Sequence, residues 1–461
     1  MTAKPSVAKR IIISEFASEI KRHRIPTKLD DEIFFRDDKD SNKRRPVYKV
    51  PVELLRFRKD NGRIASDVAT YETSKGQLNE ATDFGQSVLR GFLARKDPQT
   101  TVKLKNSITK SGQLENAVIT ADGFLINGNR RKLVLESLLE EKPGKESYRY
   151  LKVVILPGIS ENEPPPTLKE LEQIENRYQL HQLGKAEYYN FDKAISIKRK
   201  IEIGMSLDEQ LRDDPNYVEL NDQDFKKALR KFEDEFLEPL NCVDRYLKFY
   251  DRVGHYNTVS EGRTDSRGRW QAFLDYYKSV YRKTRDAEQR KKLQLRENEI
   301  RDVEDIAFKI IRKREIAGVN KKIHQIMRDL PKLLANPRAK KVLLGLTGKK
   351  AFLLSKEEII DEQGHPLDEK TKDKVWGDKF GDTVSSSVQK AYSIVETKKV
   401  QDTPLQLLEG ALGKLNHNHM HLDLIKPNRV KEALKLVRNI GIRARELERK
   451  LSMLQKRRQK S

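Results

Sequence analysis

The stretch 117–131, AVITADGFLINGNRR, decides the first folded part of the chain. Its first four residues are typical of a strand, and Asp122-Gly123 is a two-residue turn signal that sends the chain back along that strand. Gly128 closes the hairpin, and the sequence predicts a helix from Arg130 to about Glu141. A tight turn, a helix N-terminus and two arginines therefore meet at one place.

The segments on both sides of this hairpin predict a small α/β domain. Upstream, the apolar residues 102, 104 and 108 indicate a helix that ends at Gly112, and residues 48–57 alternate as a strand leading into a turn. Downstream, LKVVILP at 151–157 is a further strand. We place this domain at residues 47–160 and interpret the charged residues 1–46 as an N-terminal arm.

Beyond the proline run at 164–166 the chain becomes almost entirely helical in pattern, and we find no internal repeat. We predict a helical domain at 161–260, a charged helical region at 261–345 and a C-terminal helical domain at 346–461. The predicted fold class is α+β, with a small α/β N-terminal domain followed by a predominantly α-helical C-terminal half.

The chain carries 93 Lys and Arg against 70 Asp and Glu, a net charge of +23, and the excess is clustered. Residues 426–461 alone contain thirteen Lys and Arg against three Glu. A clustered basic surface attracts polyanions, which favours nucleic acid as the partner over a highly charged protein without a binding role. The charge gives a membrane surface less support.

The 461 residues contain no apolar run long enough for a membrane span or a signal-peptide core. We therefore expect an intracellular, cytoplasmic and nucleoid-associated protein. Cys242 is the only cysteine, which excludes an intrachain disulfide and a multi-cysteine metal site.

The motif Gly128-Asn129-Arg130-Arg131 has the chemistry of a phosphate site. Glycine lets the backbone approach an anion closely, the helix N-terminus presents N–H groups, and arginine offers paired donors. Taken alone, the same pattern fits a hairpin followed by a surface helix with two solvated arginines.

Three blocks resemble the ParB-like N-terminal domain of the ParB/sulfiredoxin superfamily. The blocks are YKVPVELLRFRKDNGRI at 48–64, ITKSGQLENAVITADGFLINGNRRKLVLESL at 108–138 and IENRYQLHQLGKAEYYNFDKAI at 174–195. They cover roughly residues 48 to 200, less than half of the chain. The sulfiredoxin branch is a poor fit because it needs a reactive cysteine beside the arginine, and Cys242 lies more than a hundred residues further on.

The resemblance implies a nucleotide pocket for a nucleoside triphosphate (CTP or ATP) with Mg²⁺. It assigns triphosphate contacts to Gly128, Arg130 and Arg131, and Arg63 matches the arginine of the first block. One departure concerns Asn129, which stands where the family usually has glutamate and leaves both the identity of the nucleotide and its hydrolysis open.

The third block supplies the remaining implied roles. Asn176 would hold the metal, and Glu175 matches the acidic residue linked to nucleotide hydrolysis, where a carboxylate can position or deprotonate water. A helix end with ordinary polar residues is the alternative for both.

Partition proteins of this family continue with a helix-turn-helix that reads DNA. Here residues 203–211 and 239–253 could be its two helices, although an insert longer than the usual turn separates them. A plain helical bundle fits as well. The predicted DNA contacts come from this second helix and from the basic loop that follows, and they are Arg245, Lys248, Arg263, Arg267 and Arg269.

Two features lie near the C-terminus. His417, His419 and His421 alternate, which would suit a metal on a strand, but a loop is the simpler interpretation. The apolar steps of three and four from Val430 to Leu454 form one stripe, which we interpret as a dimerisation or core-packing helix with a basic outer face that touches DNA.

These observations favour a ParB-like DNA-binding protein of plasmid, phage or mobile-element type with a nucleotide switch domain. Its expected partners are DNA, a second copy in a homodimer, and a partner ATPase or other system components. An enzyme that uses the same pocket is the first alternative: a nucleoside triphosphatase (CTPase-like), a kinase, or a nuclease in defence or DNA modification. A non-catalytic structural scaffold is the second alternative.

Overall fold

The computed structural model describes residues 10–33, 35, 36, 38, 43–96, 98–159, 161–180, 190–214, 217, 220–260, 269–418 and 420–458. The chain divides into two compact units, Met1–Tyr392 and Ser393–Ser461. The first unit takes in the predicted arm, the α/β domain, both middle regions and the start of the predicted last domain. Among the described residues, no helix combines the length and the apolarity needed to cross a membrane.

A four-stranded sheet organises the N-terminal part of the first unit. Its strands are β1 (Ile25–Asp31), β2 (Arg45–Pro51), β3 (Ala117–Ile119) and β4 (Tyr150–Ile155), in the order β1-β2-β4-β3. The pairs β1–β2 and β2–β4 are antiparallel, whereas β3 runs parallel to β4. Because side chains alternate along a strand, β4 serves two cores: Val153 packs on one face of the sheet and Val154 on the other.

The predicted arm contains two elements of this fold. Helix α1 (Ser14–His23) buries Ile20 in the core, and strand β1 forms the edge of the sheet. Five of the seven side chains of β1 are exposed, including the apolar Ile25 and Leu29, so the sequence lacked the alternation of buried apolar and exposed polar residues that marks a half-buried strand.

The hairpin at the centre of the sequence forms as predicted, with a short return. Gly123 has a φ of +84° and its N–H donates to the Thr120 carbonyl oxygen at 2.9 Å. The returning segment makes only bridge contacts, Arg56 to Phe124 and Ile119 to Leu125. The predicted helix that ends at Gly112 is also confirmed, since that helix closes at Ser111 and Gly112 has a φ of +72°.

The helices around the sheet continue the numbering in chain order. They are α2 (Ala65–Lys75), α3 (Asp83–Arg95), α4 (Pro98–Ser111), α5 (Asn129–Glu141) and α6 (Leu168–Leu180). Helix α5 packs on the side of Val153, and α6 packs on the side of Val154 through Leu171 and Ile174. The sheet is thus covered on both faces, and the predicted fold class, a small sheet followed by a mostly helical remainder, is confirmed.

The rest of the first unit is helical, as expected. Its helices are α7 (Asn190–Glu202), α8 (Leu207–Arg212), α9 (Asp222–Phe232), α10 (Glu238–Phe249), α11 (Asn257–Ser260), α12 (Trp270–Tyr276), α13 (Arg282–Arg285), α14 (Ala287–Lys292), α15 (Ile300–Lys313), α16 (Ile323–Leu334) and α17 (Pro337–Leu344). Single π-helical turns, Glu233–Leu237 and Tyr277–Tyr281, join α9 to α10 and α12 to α13. The charged helical region predicted at 261–345 is interrupted where Asp286 caps a new helix.

Aromatic side chains form the core of this helical part. Tyr246 lies 5.2 Å from Phe273 and 5.5 Å from Phe308 between ring centroids, and Trp270 and Tyr276 are each only 2% exposed. Trp270 and Tyr276 therefore pack inside a helix core and are not exposed as platforms for stacking bases. Cys242 is buried in the same region, where burial raises the pKa of its thiol.

Two long helices make up most of the second unit. Helix α18 (Glu369–Leu415) begins in the first unit and extends into the second, and α19 (Val430–Arg458) is the helix predicted from the apolar stripe. Among the side chains of this unit that the structure describes, none is buried.

Candidate functional site

Gly128 fixes the start of helix α5. It is the N-cap residue with a φ of +87°, and a Cβ at this position would lie 2.7 Å from the Cβ of Ala117. Gly128 has no side chain that could cap this helix, so the N–H groups of its first turn are not bonded by the N-cap residue. Such a start is suited to binding an anion.

Two asparagines flank Gly128 with unsatisfied polar atoms. Asn129 is 8% exposed, and within the described structure its Oδ1 has no hydrogen-bond partner. Asn127 Oδ1 accepts from Val118 N–H at 2.7 Å, whereas its Nδ2, judged against the same residues, is buried without a partner. Buried polar atoms are nearly always hydrogen-bonded, so this pair points to a ligand or solvent that satisfies them.

The two arginines of the motif have different environments. Arg131 is 8% exposed; its Nη1 donates to the Glu115 carbonyl oxygen, and its Nη2 lies 3.8 Å from the Glu115 carboxylate. Burial lowers the pKa of Arg131, against the opposing effect of Glu115. Arg130 is half-buried. Arg131 therefore holds the turn before β3 in place, and Arg130 is the better candidate for contact with a ligand.

Glu175 brings the first and third blocks together. Thr167 and Glu170 cap the start of α6, which carries Glu175. Glu175 Oε1 accepts from Gly62 N–H at 3.1 Å, one residue before the half-buried Arg63. The loop of the first block and the helix of the third block are therefore in contact in the fold.

Asn176 uses both ends of its side chain within the protein. Its Nδ2 donates to the Gln210 carbonyl oxygen at 3.1 Å, and its Oδ1 accepts from Lys200 Nζ at 3.0 Å. Across the described residues, no group of three or more His, Cys, Asp or Glu side chains could hold a metal ion. These residues do not fit the magnesium site that the sequence resemblance implies.

A buried network of charges surrounds Glu175 and Asn176, and its members were missed by the sequence analysis. The members are Arg58, Asp60, Glu172, Arg199 and Lys200. Arg58 Nη2 lies 2.5 Å from Glu172, and Arg199 bridges Asp60 at 2.6 Å and Glu172 at 2.8 Å.

Opposite charges favour the ionised forms of Arg58 and Asp60. Burial alone would lower the pKa of Arg58, but Glu172 and Glu175 raise it. Burial alone would raise the pKa of Asp60, but Arg199 and Arg58 lower it. Three cationic and three acidic side chains, counting Glu175, thus balance one another, and Asp60 and Arg199 lie at the partly exposed edge of the network.

The predicted DNA contacts do not form one group. On α10, Arg245 is partly exposed and binds Glu304 through two hydrogen bonds of 2.7 Å, which raise its pKa, and Lys248 is exposed. Arg269 is only 5% exposed and donates to the Tyr246 hydroxyl and the Asp373 carboxylate. This placement favours a structural role for Arg269 over the predicted contact with DNA.

The other two predicted contacts, Arg263 and Arg267, lie outside the described residues. A second arginine, Arg285 on α13, lies over the same aromatic ring as Arg245. The Arg285 guanidinium lies 3.5 Å from the centroid of the Tyr281 ring, and that of Arg245 lies 5.7 Å from the same ring. Its sequence signal was the basic run that begins at Arg282.

The predicted helix-turn-helix would use α8 and α10. Helix α9 and a π-helical turn lie between them in the chain, and α10 buries Leu240, Val243 and Leu247. Arg245 and Lys248 are on its exposed side. The assignment as a recognition helix stays a prediction.

Neither His417 nor His421 lies in a strand. His417 and His421 lie in the segment between α18 and α19, and His419 is outside the described residues.

No protein-family model, curated protein or solved structure matches this chain. The ParB-like resemblance therefore stays an expectation, and the function is argued from geometry.

Proposed function

We propose that this chain is a DNA-binding protein whose N-terminal α/β part binds a nucleoside triphosphate and acts as a switch. One observation carries the proposal: the left-handed Gly128 opens an uncapped helix at which Asn127 Nδ2 and Asn129 Oδ1 are buried without partners among the described residues. A nucleotide offers phosphate oxygens for the helix start and both donors and acceptors for the two amides. CTP and ATP both meet these requirements.

Binding without rapid turnover is the behaviour that the geometry favours. Glu175 is 5% exposed and its Oε1 accepts from the Gly62 N–H, inside the network of balanced charges. A carboxylate that activates water has to form a hydrogen bond with that water. The Oε1 of Glu175 already accepts a hydrogen bond from the protein backbone, which favours a structural role for this carboxylate. We therefore rank the switch above the triphosphatase, kinase and nuclease alternatives.

The proposed context is a cytoplasmic, nucleoid-associated system of a plasmid, phage or mobile element, with a partner ATPase or another system component. The support is the net charge of +23 and its concentration at the C-terminal end. A polybasic surface binds duplex DNA through its phosphates, which makes the affinity strongly dependent on salt.

Replacing Arg130 by alanine tests the nucleotide site. We expect the affinity for the bound nucleotide to fall about 10- to 100-fold, because a charge-assisted hydrogen bond to phosphate contributes roughly 1.5–3 kcal/mol. Calorimetric titration with CTP and with ATP measures the change. Arg149→Ala is the matched control, since Arg149 is exposed in the same part of the fold and pairs only weakly with Glu146 at 4.0 Å. Equal affinities for the two variants would contradict the proposal.

We further propose that the second unit forms a homodimer through α19. Its stripe side chains are exposed, for example Val437 at 60% and Leu451 at 53%, and a helix of 29 residues offers about 43 Å of contact. Apolar side chains in steps of three and four are the pattern by which helices pair. A second copy of this chain carries the same apolar stripe, so the contact requires no other protein.

Val437→Asp together with Leu451→Asp is expected to convert the dimer to a monomer, since it places charges in the apolar contact. Ile442→Asp is the control, because Ile442 is 59% exposed on the opposite side of the same helix. Sedimentation equilibrium measures the mass of each protein.

The dimer should also become more stable as the salt concentration rises, because salt screens the repulsion between two basic helices. DNA binding should become weaker under the same change. A monomeric parent protein, or a dimer indifferent to the double substitution, would refute the proposed interface.

A further inference from the structure

Lys200 lies where the sequence resemblance implies a metal ion. It is on α7, is 2% exposed, and donates from Nζ to Asn176 Oδ1 at 3.0 Å. The oxygen that would bind magnesium therefore already accepts a hydrogen bond from an ammonium group.

The electrostatic surroundings of Lys200 resemble those of a bound cation. Burial lowers its pKa, while the carboxylates of Glu175 and Glu172 act in the opposite direction. These carboxylates also face Arg58, which lies 2.5 Å from Glu172 and 3.9 Å from Glu175. A divalent ion added here would meet fixed cations already paired with both acids, which is unfavourable at short range.

The sequence around Lys200 explains why this lysine is inside. Ile197 precedes it by three residues and Ser196 by four, and both are buried, so Lys200 continues the inward side of α7. A lysine is rarely buried unless it is paired. Here the amide of Asn176 and the neighbouring acids provide that pairing.

We propose that Lys200 is a built-in cation that replaces the metal at Asn176, and that anionic ligands bind this protein without a divalent ion. The position of the Lys200 ammonium group follows from the described geometry alone. Only the identity of the ligand, a nucleoside triphosphate, rests on the proposed function.

The first test is a titration of the full-length protein with Mn²⁺ in the absence of nucleotide, followed by electron paramagnetic resonance. We expect no bound Mn²⁺ in the parent protein. Lys200→Met removes the charge while keeping the length of the side chain, and it should create one Mn²⁺ site. Lys198→Met is the control, because Lys198 is on the same helix and pairs with Asp244 at 2.7 Å.

Thermal melting of the same proteins is a second measurement, which applies even if a substitution lowers the stability of the protein. Mn²⁺ should raise the melting temperature of Lys200→Met and leave the parent protein and Lys198→Met unchanged, because a ligand stabilises only the state that binds it. Mn²⁺ bound by the parent protein and lost in Asn176→Ala would overturn the proposal. Failure of Lys200→Met to gain Mn²⁺ would overturn it as well.

Nucleotide titrations complete the test. The affinity for CTP or ATP should differ by less than about twofold between buffers with Mg²⁺ and with EDTA, whereas a metal-bridged site would lose roughly 100-fold. If neither nucleotide binds in either buffer, the proposed nucleotide function fails, and the Mn²⁺ titration still decides the role of Lys200.

Discussion

Replacing Asp373 by alanine is expected to lower the free energy of unfolding by about 3–5 kcal/mol, because removing one partner of a buried ion pair leaves charges uncompensated. Its carboxylate lies 2.6 Å from Arg252, 2.6 Å from Arg269 and 3.0 Å from Arg312. The side chains of all three arginines are 5% exposed. Without Asp373, Glu369 still lies 2.5 Å from Arg252.

Urea unfolding followed by circular dichroism measures this loss. Asp378→Ala is the control, since Asp378 is exposed on the same helix and its loss should change stability by less than about 0.5 kcal/mol. Equal midpoints for the two variants would show that the three arginines do not depend on Asp373.

The same carboxylate gives a dependence on pH with a defined sign. Burial alone would raise the pKa of Asp373, but the three arginines lower it well below its ordinary value. A group whose pKa is depressed by folding stabilises the protein above its unfolded pKa, near 3.9, and loses that contribution as the pH falls towards its folded pKa. The stability difference between the parent and Asp373→Ala should therefore be constant from about pH 7 to pH 5 and shrink below about pH 4.

Gly128→Val should damage both the fold and the proposed nucleotide site. Valine is strongly disfavoured at a φ of +87°, and its Cβ would lie 2.7 Å from the Cβ of Ala117. Backbone strain and overpacking each cost about 1–3 kcal/mol, so a total loss of roughly 2–6 kcal/mol is expected. Nucleotide binding should be lost in the protein that still folds, because the start of α5 must move.

Gly144→Val is the comparison for this substitution. Gly144 has no positive φ, and a Cβ at that position would meet nothing within 4 Å. Its unfolding midpoint should match that of the parent protein. A Gly128→Val protein with parental stability would mean that the turn before α5 is not constrained as the structure indicates.

Local patterns predicted the centre of the α/β part well. Asp122-Gly123 gave the hairpin, Gly112 gave the end of α4, and the helix expected from Arg130 to Glu141 is α5. Each signal depends on residues that are close in sequence, where turn and cap preferences act directly.

Contacts between distant residues could not be predicted in the same way. Arg199 and Asp60 pair across 139 positions, and the charged run 198–200 has the composition of a solvated surface. One signal was available: Lys200 continues the buried side of α7 after Ile197.

For Arg269, the composition of the sequence and the structure favour different roles. Its loop is basic and contains glycine, which suggested contact with DNA, but the next residue, Trp270, is 2% exposed and belongs to the aromatic core. Arg269 is buried beside it and binds Asp373. The composition of a basic loop does not reveal which of its residues is buried because it lies next to a core residue.

The coupling of nucleotide binding to DNA binding is the most direct test of the proposed switch. Duplex DNA is titrated into the parent protein by calorimetry at low salt, without nucleotide, with CTP and with ATP. We expect salt-sensitive binding whose affinity changes with one of the two nucleotides, and we expect that change to be lost in Arg130→Ala. Absence of DNA binding at low salt, or an affinity that neither nucleotide alters, would contradict it.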